Sequence, residues 1–373
     1  MRCLAMVKLT NNLKELSTRE GESFSIYGYG KMGKYLELYL RAHNIEIRNI
    51  IDTNPQTNTK TIDEVIEDKE HNFVVPVYND EAKNNITDAL IKHGYGNINV
   101  LTNKCLNQLD QITNKKLRFQ THLVEHCNLK CRGCYHFSSL AEAEFLSLEE
   151  YEKDVRRLSE LFDGKMEEIL LLGGEPLLHP LCEEFLYVTR KYFKVGKLKV
   201  LSNGTLLLGK TEKFFKAFNE CSAELWITKY PISFDYDKAE EHAKSYGVDI
   251  KYFNREPVRT LGHQPLDLEG KQDFKQNYYN CYRANECVDL KHGKLYSCII
   301  PAEIAPFVKY FKMDNPVKDT DGVDIYAVKD YEDLLERLYM PMEFCRFCNR
   351  NDVAIFGRIP WQRSMFDIKE WTL

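Results

Sequence analysis

The sequence predicts an α/β protein made of two successive strand–helix runs and a cysteine-rich C-terminal extension. Three observations predict it. Short apolar runs alternate with amphipathic helical patterns through most of the chain, the signature of parallel strands joined by crossover helices. A glycine-rich turn, Gly28-x-Gly30-x2-Gly33, separates the first strand and helix of the first run. In the second run, motifs of small and polar residues recur at the C-terminal ends of strands, where parallel βα folds gather their functional groups on one mouth.

In the first run, 23–28 (SFSIYG) reads as a strand entering the glycine turn, and KMGKYLELYLRAH reads as a helix with Leu36, Leu38 and Leu40 among its apolar positions. A second strand, 46–52 (EIRNIID), ends at Asp52. This is the order of a dinucleotide-type βαβ unit. Gly28, Gly30 and Gly33 permit a tight turn and bring backbone N–H groups to a phosphate at the helix start, and Asp52 is placed to accept a ribose hydroxyl. Strands at 72–78 and 97–101 and a helix at 81–93 complete half of a full dinucleotide fold, without the His, Lys or Tyr set of the common dehydrogenases. The unit resembles the small Rossmann-like modules attached to sugar-modifying and surface-polysaccharide proteins. Two roles stay open: binding a nucleotide, dinucleotide or nucleotide-sugar, and serving as a docking or degenerate structural domain.

The second run begins with the alternating stretch 117–124 (LRFQTHLV) and HCNLKCRGCYHF, which holds Cys127-x3-Cys131-x2-Cys134. Three thiolates on one short loop can hold three irons of a cubane cluster and leave the fourth iron open. Zinc sites prefer paired C-x2-C halves. Ser147-x2-Glu150 forms a capping box opening a helix with Leu148, Tyr151, Val155, Leu158 and Phe162 on one side. A strand at 168–172 then delivers Gly173, Gly174, Glu175 and Pro176 (GGEP), and one at 198–201 delivers Ser202 and Asn203 within SNGT. A strand at 224–228 ends at Thr228, and a further strand closes at Tyr252 after a helix at 237–246.

With these three motifs in this order, the region 117–253 resembles the core of radical SAM enzymes. The resemblance implies a partial (β/α)6 barrel of the TIM type, although its sixth strand has no secure place in the sequence. It also implies a catalytic 4Fe–4S cluster on Cys127, Cys131 and Cys134, whose open iron takes S-adenosylmethionine, and an electron donor of the flavodoxin or ferredoxin type. By the same resemblance GGEP holds the methionyl ammonium, Ser202 and Asn203 the carboxylate or ribose, and Thr228 the ribose. One position departs from the pattern: many members carry an aromatic residue before the third cysteine, where this chain has Gly133, with Tyr135 following. His126, His136 and His179 read as partly buried polar residues.

Five further cysteines lie in the last third: Cys281, Cys287, Cys298, Cys345 and Cys348. The pattern C-x11-G-x4-C from Cys281 through Gly293 to Cys298, closed by Cys345-x2-Cys348, resembles the twitch domain, the shortened relative of the SPASM domain. It implies an auxiliary 4Fe–4S cluster held by Cys281, Cys298, Cys345 and Cys348, with Cys287 as the alternative to Cys281 and a structural zinc as the alternative metal. Cys3, Cys105, Cys182 and Cys221 are isolated and read as packed thiols. The expected domains are 1–112 (Rossmann-like), 113–262 (radical SAM partial barrel) and 263–373 (auxiliary cluster, twitch/SPASM-like).

Composition narrows the function. A formal charge of −5 over 373 residues lacks the concentrated positive charge that nucleic acid requires. No apolar run approaches the roughly 20 residues that span a bilayer. Twelve cysteines grouped in ligand spacings point to a reducing cytoplasm and not to a disulfide framework. The combination resembles radical SAM oxidases of cyclic amino-alcohols. It implies oxidation, dehydration or epimerisation of a sugar, cyclitol or nucleotide-linked sugar. A peptide-modifying maturase and a non-catalytic iron–sulfur scaffold are the alternatives. Candidate proton acceptors above the barrel mouth are His263, Asp267 and Glu269, read by position alone.

Overall fold

The computed structural model describes residues 6–19, 21–55, 58–281, 283–349 and 358–372. They form two compact units, one of residues 1–115 with 335–340 and the other of residues 116–334 with 341–373. Cys3 lies outside the described residues.

The first unit is a parallel sheet of β1 (Met6–Thr10), β2 (Ser23–Tyr27), β3 (Glu46–Ile51), β4 (Asn72–Val75) and β5 (Asn97–Leu101). Helices α1 (Lys14–Ser17), α2 (Lys31–Ala42), α3 (Asp80–Lys92) and α4 (Asn103–Asn114) connect them. The spatial order is β1-β5-β4-β2-β3. After β3 the chain crosses to the other side of β2, so the switch point falls between β2 and β4, where open α/β sheets leave a crevice at the strand ends. The strands at 23–28, 46–52, 72–78 and 97–101 all appear, each within a few residues. Strand β1 escapes the pattern because Met6 and Leu9 sit exposed on a sheet edge and show no buried face.

In the second unit β6 (Arg118–Val124), β7 (Glu168–Gly173), β8 (Lys197–Ser202), β9 (Glu224–Ile227) and β10 (Ile250–Tyr252) pair in parallel, each with the next. Helices α5 (Leu148–Leu161), α6 (Cys182–Tyr192), α7 (Glu212–Glu220) and α8 (Tyr236–Ser245) are the crossovers. In α7 the spacing of Phe214, Phe215 and Phe218 puts all three rings in the core, each contributing about 1.5–3 kcal/mol by leaving water. At the start of α5 the Ser147 hydroxyl accepts from the Glu150 N–H at 3.4 Å, while the Glu150 carboxylate accepts from His292 Nδ1 at 2.6 Å.

Beyond β10 the sheet does not gain a sixth parallel neighbour among the described residues. The next strand, β11 (Thr260–Gly262), instead pairs antiparallel with β15 (Arg358–Pro360). Growth occurs on the opposite edge, where β12 (Asp289–Lys291) joins β6 and continues into β13 (Lys294–Tyr296) and β14 (Gly322–Asp324). Short helices α9 (Phe274–Tyr279), α10 (Ile299–Glu303) and α11 (Ala305–Phe311) pack around this extension, and α12 (Tyr331–Leu338) leads out of it.

A buried ionic cluster joins β6 to this extension. Lys291 on β12 bridges Glu125 at 2.5 Å and Glu303 on α10 at 2.8 Å, and His122 on β6 approaches Glu303 at 3.1 Å. Burial by itself would lower the His122 pKa. The Glu303 carboxylate and then Glu125 outweigh it and hold the imidazole up at about 10, against an ordinary 6.5. A folded-state pKa above the unfolded value means stabilisation that is complete below pH 6.5 and is lost as the pH rises through about 10. Urea midpoints measured from pH 6.5 to 10 should therefore fall, and His122→Ala should flatten that fall while costing about 3–5 kcal/mol at neutral pH.

Candidate functional site

The cysteine loop leaves the C-terminal end of β6, and the other strand-end motifs surround it. Gly173 ends β7, and the Gly174 N–H donates to Val124 O at 2.8 Å. A Cβ at Gly174 would stand 2.1 Å from the His126 carbonyl oxygen, so only glycine lets β7 lie against the loop entry. The Glu175 N–H donates to that same carbonyl at 3.1 Å.

The Glu175 side chain is fully buried and turns away from the open space. Its carboxylate accepts from Leu177 N at 3.0 Å, Ser202 Oγ at 2.7 Å and Asn203 N at 2.8 Å. Burial raises its pKa, and these donors only partly offset the rise. Asn203 carries the connection onward, with Nδ2 donating to Asn128 Oδ1 at 2.8 Å and lying 3.8 Å from Cys127 Sγ. Asn128 Nδ2 in turn donates to Thr205 Oγ1 at 2.8 Å. Thr228 N donates to Ser202 O at 3.0 Å, which adds the end of β9.

These contacts frame one cavity of about 370 Å³. Cys127, Cys131, Cys134, Gly173, Gly174, Ser202, Asn203 and Thr228 all line it; Glu175 and Pro176 do not. Burial pushes the Cys127 and Cys131 thiols up to about 12 and raises Cys134 as well. Thiols so disfavoured as free anions become good ligands once a bound cation supplies the charge that displaces their protons. At Gly133 the backbone has φ of +59°, and a Cβ would meet Glu370 O at 2.7 Å and His263 Cδ2 at 3.1 Å. An aromatic side chain has no room there, which gives the departure from the usual pattern a steric cause.

A second, smaller cavity of about 20 Å³ is lined by Cys281, Cys298, Cys345 and Cys348. Asn277 Nδ2 donates to the carbonyls of Cys345 at 2.9 Å and Cys348 at 2.7 Å, fixing that turn. Cys287 lines the larger cavity instead. Of the two cysteines left open in the sequence, Cys281 is the one that shares the smaller cavity with Cys298, Cys345 and Cys348. Cys105, Cys182 and Cys221 are buried singly.

The three acceptor candidates are not brought to the larger cavity. His263 is buried with Nε2 against Glu370 O at 2.9 Å. Asp267 caps a turn, accepting from Glu269 N, Lys271 N and Gln272 Nε2, and Glu269 is exposed and pairs with Lys271. Other residues line the cavity in their place: Gln120, Tyr135, His136, Ser139, Tyr230 and Phe253. Of these, His136 and Tyr135, beside the third cysteine, and Tyr230, just past the strand that ends at Thr228, carried a signal in the sequence. His136 Nδ1 faces His122 Nε2 at 2.8 Å, and burial followed by the His122 charge holds it well below the ordinary histidine range. His179 is a structural residue, bonded to Leu146 O at 3.0 Å.

In the first unit a cavity of about 450 Å³ opens at the switch point, lined by Gly28, Gly30, Lys31, Asp52, Val77 and Tyr78 among others. Gly33 is buried in the first turn of α2 behind it. The Asp52 carboxylate accepts from Tyr29 N at 2.7 Å and Asn54 N at 2.9 Å, so it braces the glycine turn.

Residues 122–259 match the radical SAM superfamily. The chain carries a radical SAM domain. Radical SAM superfamily members are enzymes, and the superfamily implies a 4Fe–4S cluster and S-adenosylmethionine. The chain is similar to the antilisterial bacteriocin subtilosin biosynthesis protein AlbA of Bacillus subtilis (strain 168), 35% identical over 99 residues, 26% of this chain and 21% of the relative. It therefore spans about a fifth of that curated relative's length. It is also similar to GTP 3',8-cyclase of Aquifex aeolicus (strain VF5), 28% identical over 280 residues, 67% of this chain and 83% of the relative. A solved structure of BtrN in complex with AdoMet and 2-DOIA aligns with a TM-score of 0.39 at 15% identity, covering 64% of this chain and 94% of that one.

Gly174→Ala should cut S-adenosylmethionine binding by at least roughly tenfold, the effect of about 1.4 kcal/mol from a clash at the loop entry. Equilibrium dialysis on anaerobically reconstituted protein checks the affinity, and an unchanged circular dichroism spectrum shows that the fold survives.

Proposed function

We propose that the chain reductively cleaves S-adenosylmethionine and abstracts a hydrogen atom from a small molecule, most often a carbinol hydrogen of a sugar, cyclitol or nucleotide-linked sugar. The observation that carries this reading is the convergence of Cys127, Cys131 and Cys134 with Gly173, Gly174, Ser202, Asn203 and Thr228 on one cavity. When bound, a 4Fe–4S cluster with S-adenosylmethionine supplies the electron that releases a 5'-deoxyadenosyl radical.

The chain's own groups do the rest. Gly173 and Gly174 let the backbone approach the methionyl ammonium, and Ser202, Asn203 and Thr228 face the carboxylate and ribose. Glu175 acts from behind, holding Ser202 and Asn203 in register. The remaining wall, with Gln120, Tyr135, His136 and Ser139, is left for substrate. The buried Ser139 hydroxyl has no hydrogen-bond partner among the described residues, a vacancy that a polar ligand atom would fill. The likeness to a GTP cyclase over most of that relative's length favours a nucleotide-linked substrate, and the cavity at the glycine turn of the first unit is assigned to a nucleotide.

Cys281, Cys298, Cys345 and Cys348 are assigned to an auxiliary 4Fe–4S cluster. The electron donor is assigned to the flavodoxin or ferredoxin class and the compartment to the cytoplasm. No helix among the described residues is long and apolar enough to cross a membrane.

Anaerobically reconstituted protein should hold about eight irons and eight sulfides, and dithionite should drive 5'-deoxyadenosine formation. Cys131→Ala should abolish cleavage and leave about four irons. Full iron without cleavage, even with nucleotide-sugars added, would count against the catalytic reading, and four irons in the wild type against the second cluster.

A further inference from the structure

The last described segment, 358–372, lies across the cysteine loop and is bonded to it along its length. Arg132 N donates to Gln362 O at 2.8 Å and Ser364 N to Lys130 O at 2.8 Å, so backbone joins backbone on both sides of Cys131. The Trp371 indole N–H donates to Cys134 O at 2.9 Å, and the ring is buried near Phe307 and Phe311. Glu370 closes the segment on itself by accepting from Ser364 Oγ at 2.5 Å and Met365 N at 2.7 Å.

The segment also reaches a ligand sulfur with a side chain. Trp361 Nε1 lies 3.1 Å from Cys131 Sγ. Cys127 Sγ has longer N–H neighbours, Leu129 N at 3.5 Å and Asn203 Nδ2 at 3.8 Å, and Cys134 Sγ faces the backbone N–H groups of His136, Ser138 and Phe137. The Trp361 ring packs 5.9 Å from that of Tyr230, a cavity-lining residue, which fixes its orientation. An N–H aimed at a thiolate sulfur stabilises the more negative, reduced state of an iron–sulfur cluster, and hydrogen bonds to sulfur are among the terms that set its potential.

We infer that segment 358–372 is a strap that closes the cysteine loop, and that Trp361 is its positioning residue, raising the reduction potential of the cluster through the N–H bond to Cys131. The inference rests on assigning that cluster to Cys127, Cys131 and Cys134. It gives the C-terminal end of the chain a part in the chemistry of a loop more than two hundred residues earlier.

The experiment is an anaerobic potentiometric titration, followed by electron paramagnetic resonance, of the full-length wild type, Trp361→Phe, Trp361→His and Trp371→Phe. The signal to follow is the one that shifts when S-adenosylmethionine is added. Trp361→Phe keeps the ring and deletes the donor. It should retain wild-type iron and be roughly tenfold harder to reduce, a midpoint about 59 mV more negative. Trp361→His restores a ring N–H and should recover part of the shift, and Trp371→Phe, whose lost bond was to a backbone carbonyl, should move the midpoint less. An unchanged midpoint in Trp361→Phe overturns the inference. So does a Trp361→Phe protein that keeps only about four irons and loses the responsive signal, since Trp361 would then be a prop of the loop. A wild type with no signal responsive to S-adenosylmethionine would fail the parent reading instead, before any variant is compared.

Discussion

The buried carboxylate of Glu175 is the constraint on which the site depends. It ties the end of β7 to Ser202 and Asn203 at the end of β8, while its own backbone N–H holds the carbonyl of His126 at the mouth of the cysteine loop. A carboxylate sealed from water is costly unless donors surround it, and here two backbone N–H groups and a hydroxyl do so. Because two of those donors, Ser202 Oγ and Asn203 N, belong to the end of the neighbouring strand, satisfying the charge also sets the spacing of the motifs. Glu175 is in this sense a part of the frame, and the glycines before it form the surface.

The second cysteine set shares a unit with the first through the ionic cluster of His122, Glu125, Glu303 and Lys291. Strand β12 takes the place beside β6, on the edge away from β10, so the C-terminal extension completes the sheet from the side where the cysteine loop begins. Cys287, at the start of this connection, falls on the larger cavity, while Cys281 is carried to the smaller one by α9. The two cysteines are only a short loop apart in sequence, and spacing could not separate them.

Much of this was legible in the sequence because the motifs sit at strand ends. Residue spacing placed Cys127, Cys131, Cys134, Gly173, Gly174, Ser202, Asn203 and Thr228 on one mouth, and all of them line the cavity. The strands of the first unit were equally plain where a buried face imposed a pattern. What could not be read was long-range. Glu175 looked like a ligand because its neighbours do, and its orientation depends on hydrogen bonds from β8. His263, Asp267 and Glu269 were chosen for their place in a charged segment, yet their side chains cap turns, pair locally or bond to the C-terminal strap. Gln120 and Ser139 carry no local signal at all, since their exposure to the cavity is a product of packing.

In the proposed assignment the chain holds two clusters on two separate cysteine sets, only one of which meets S-adenosylmethionine. Electron paramagnetic resonance of the reduced Cys345→Ala/Cys348→Ala protein, recorded with and without S-adenosylmethionine, tests it most directly. The account predicts that a single cluster signal remains and that it shifts when S-adenosylmethionine is added. Loss of the responsive signal in that variant, with the remaining cluster indifferent to S-adenosylmethionine, would contradict it.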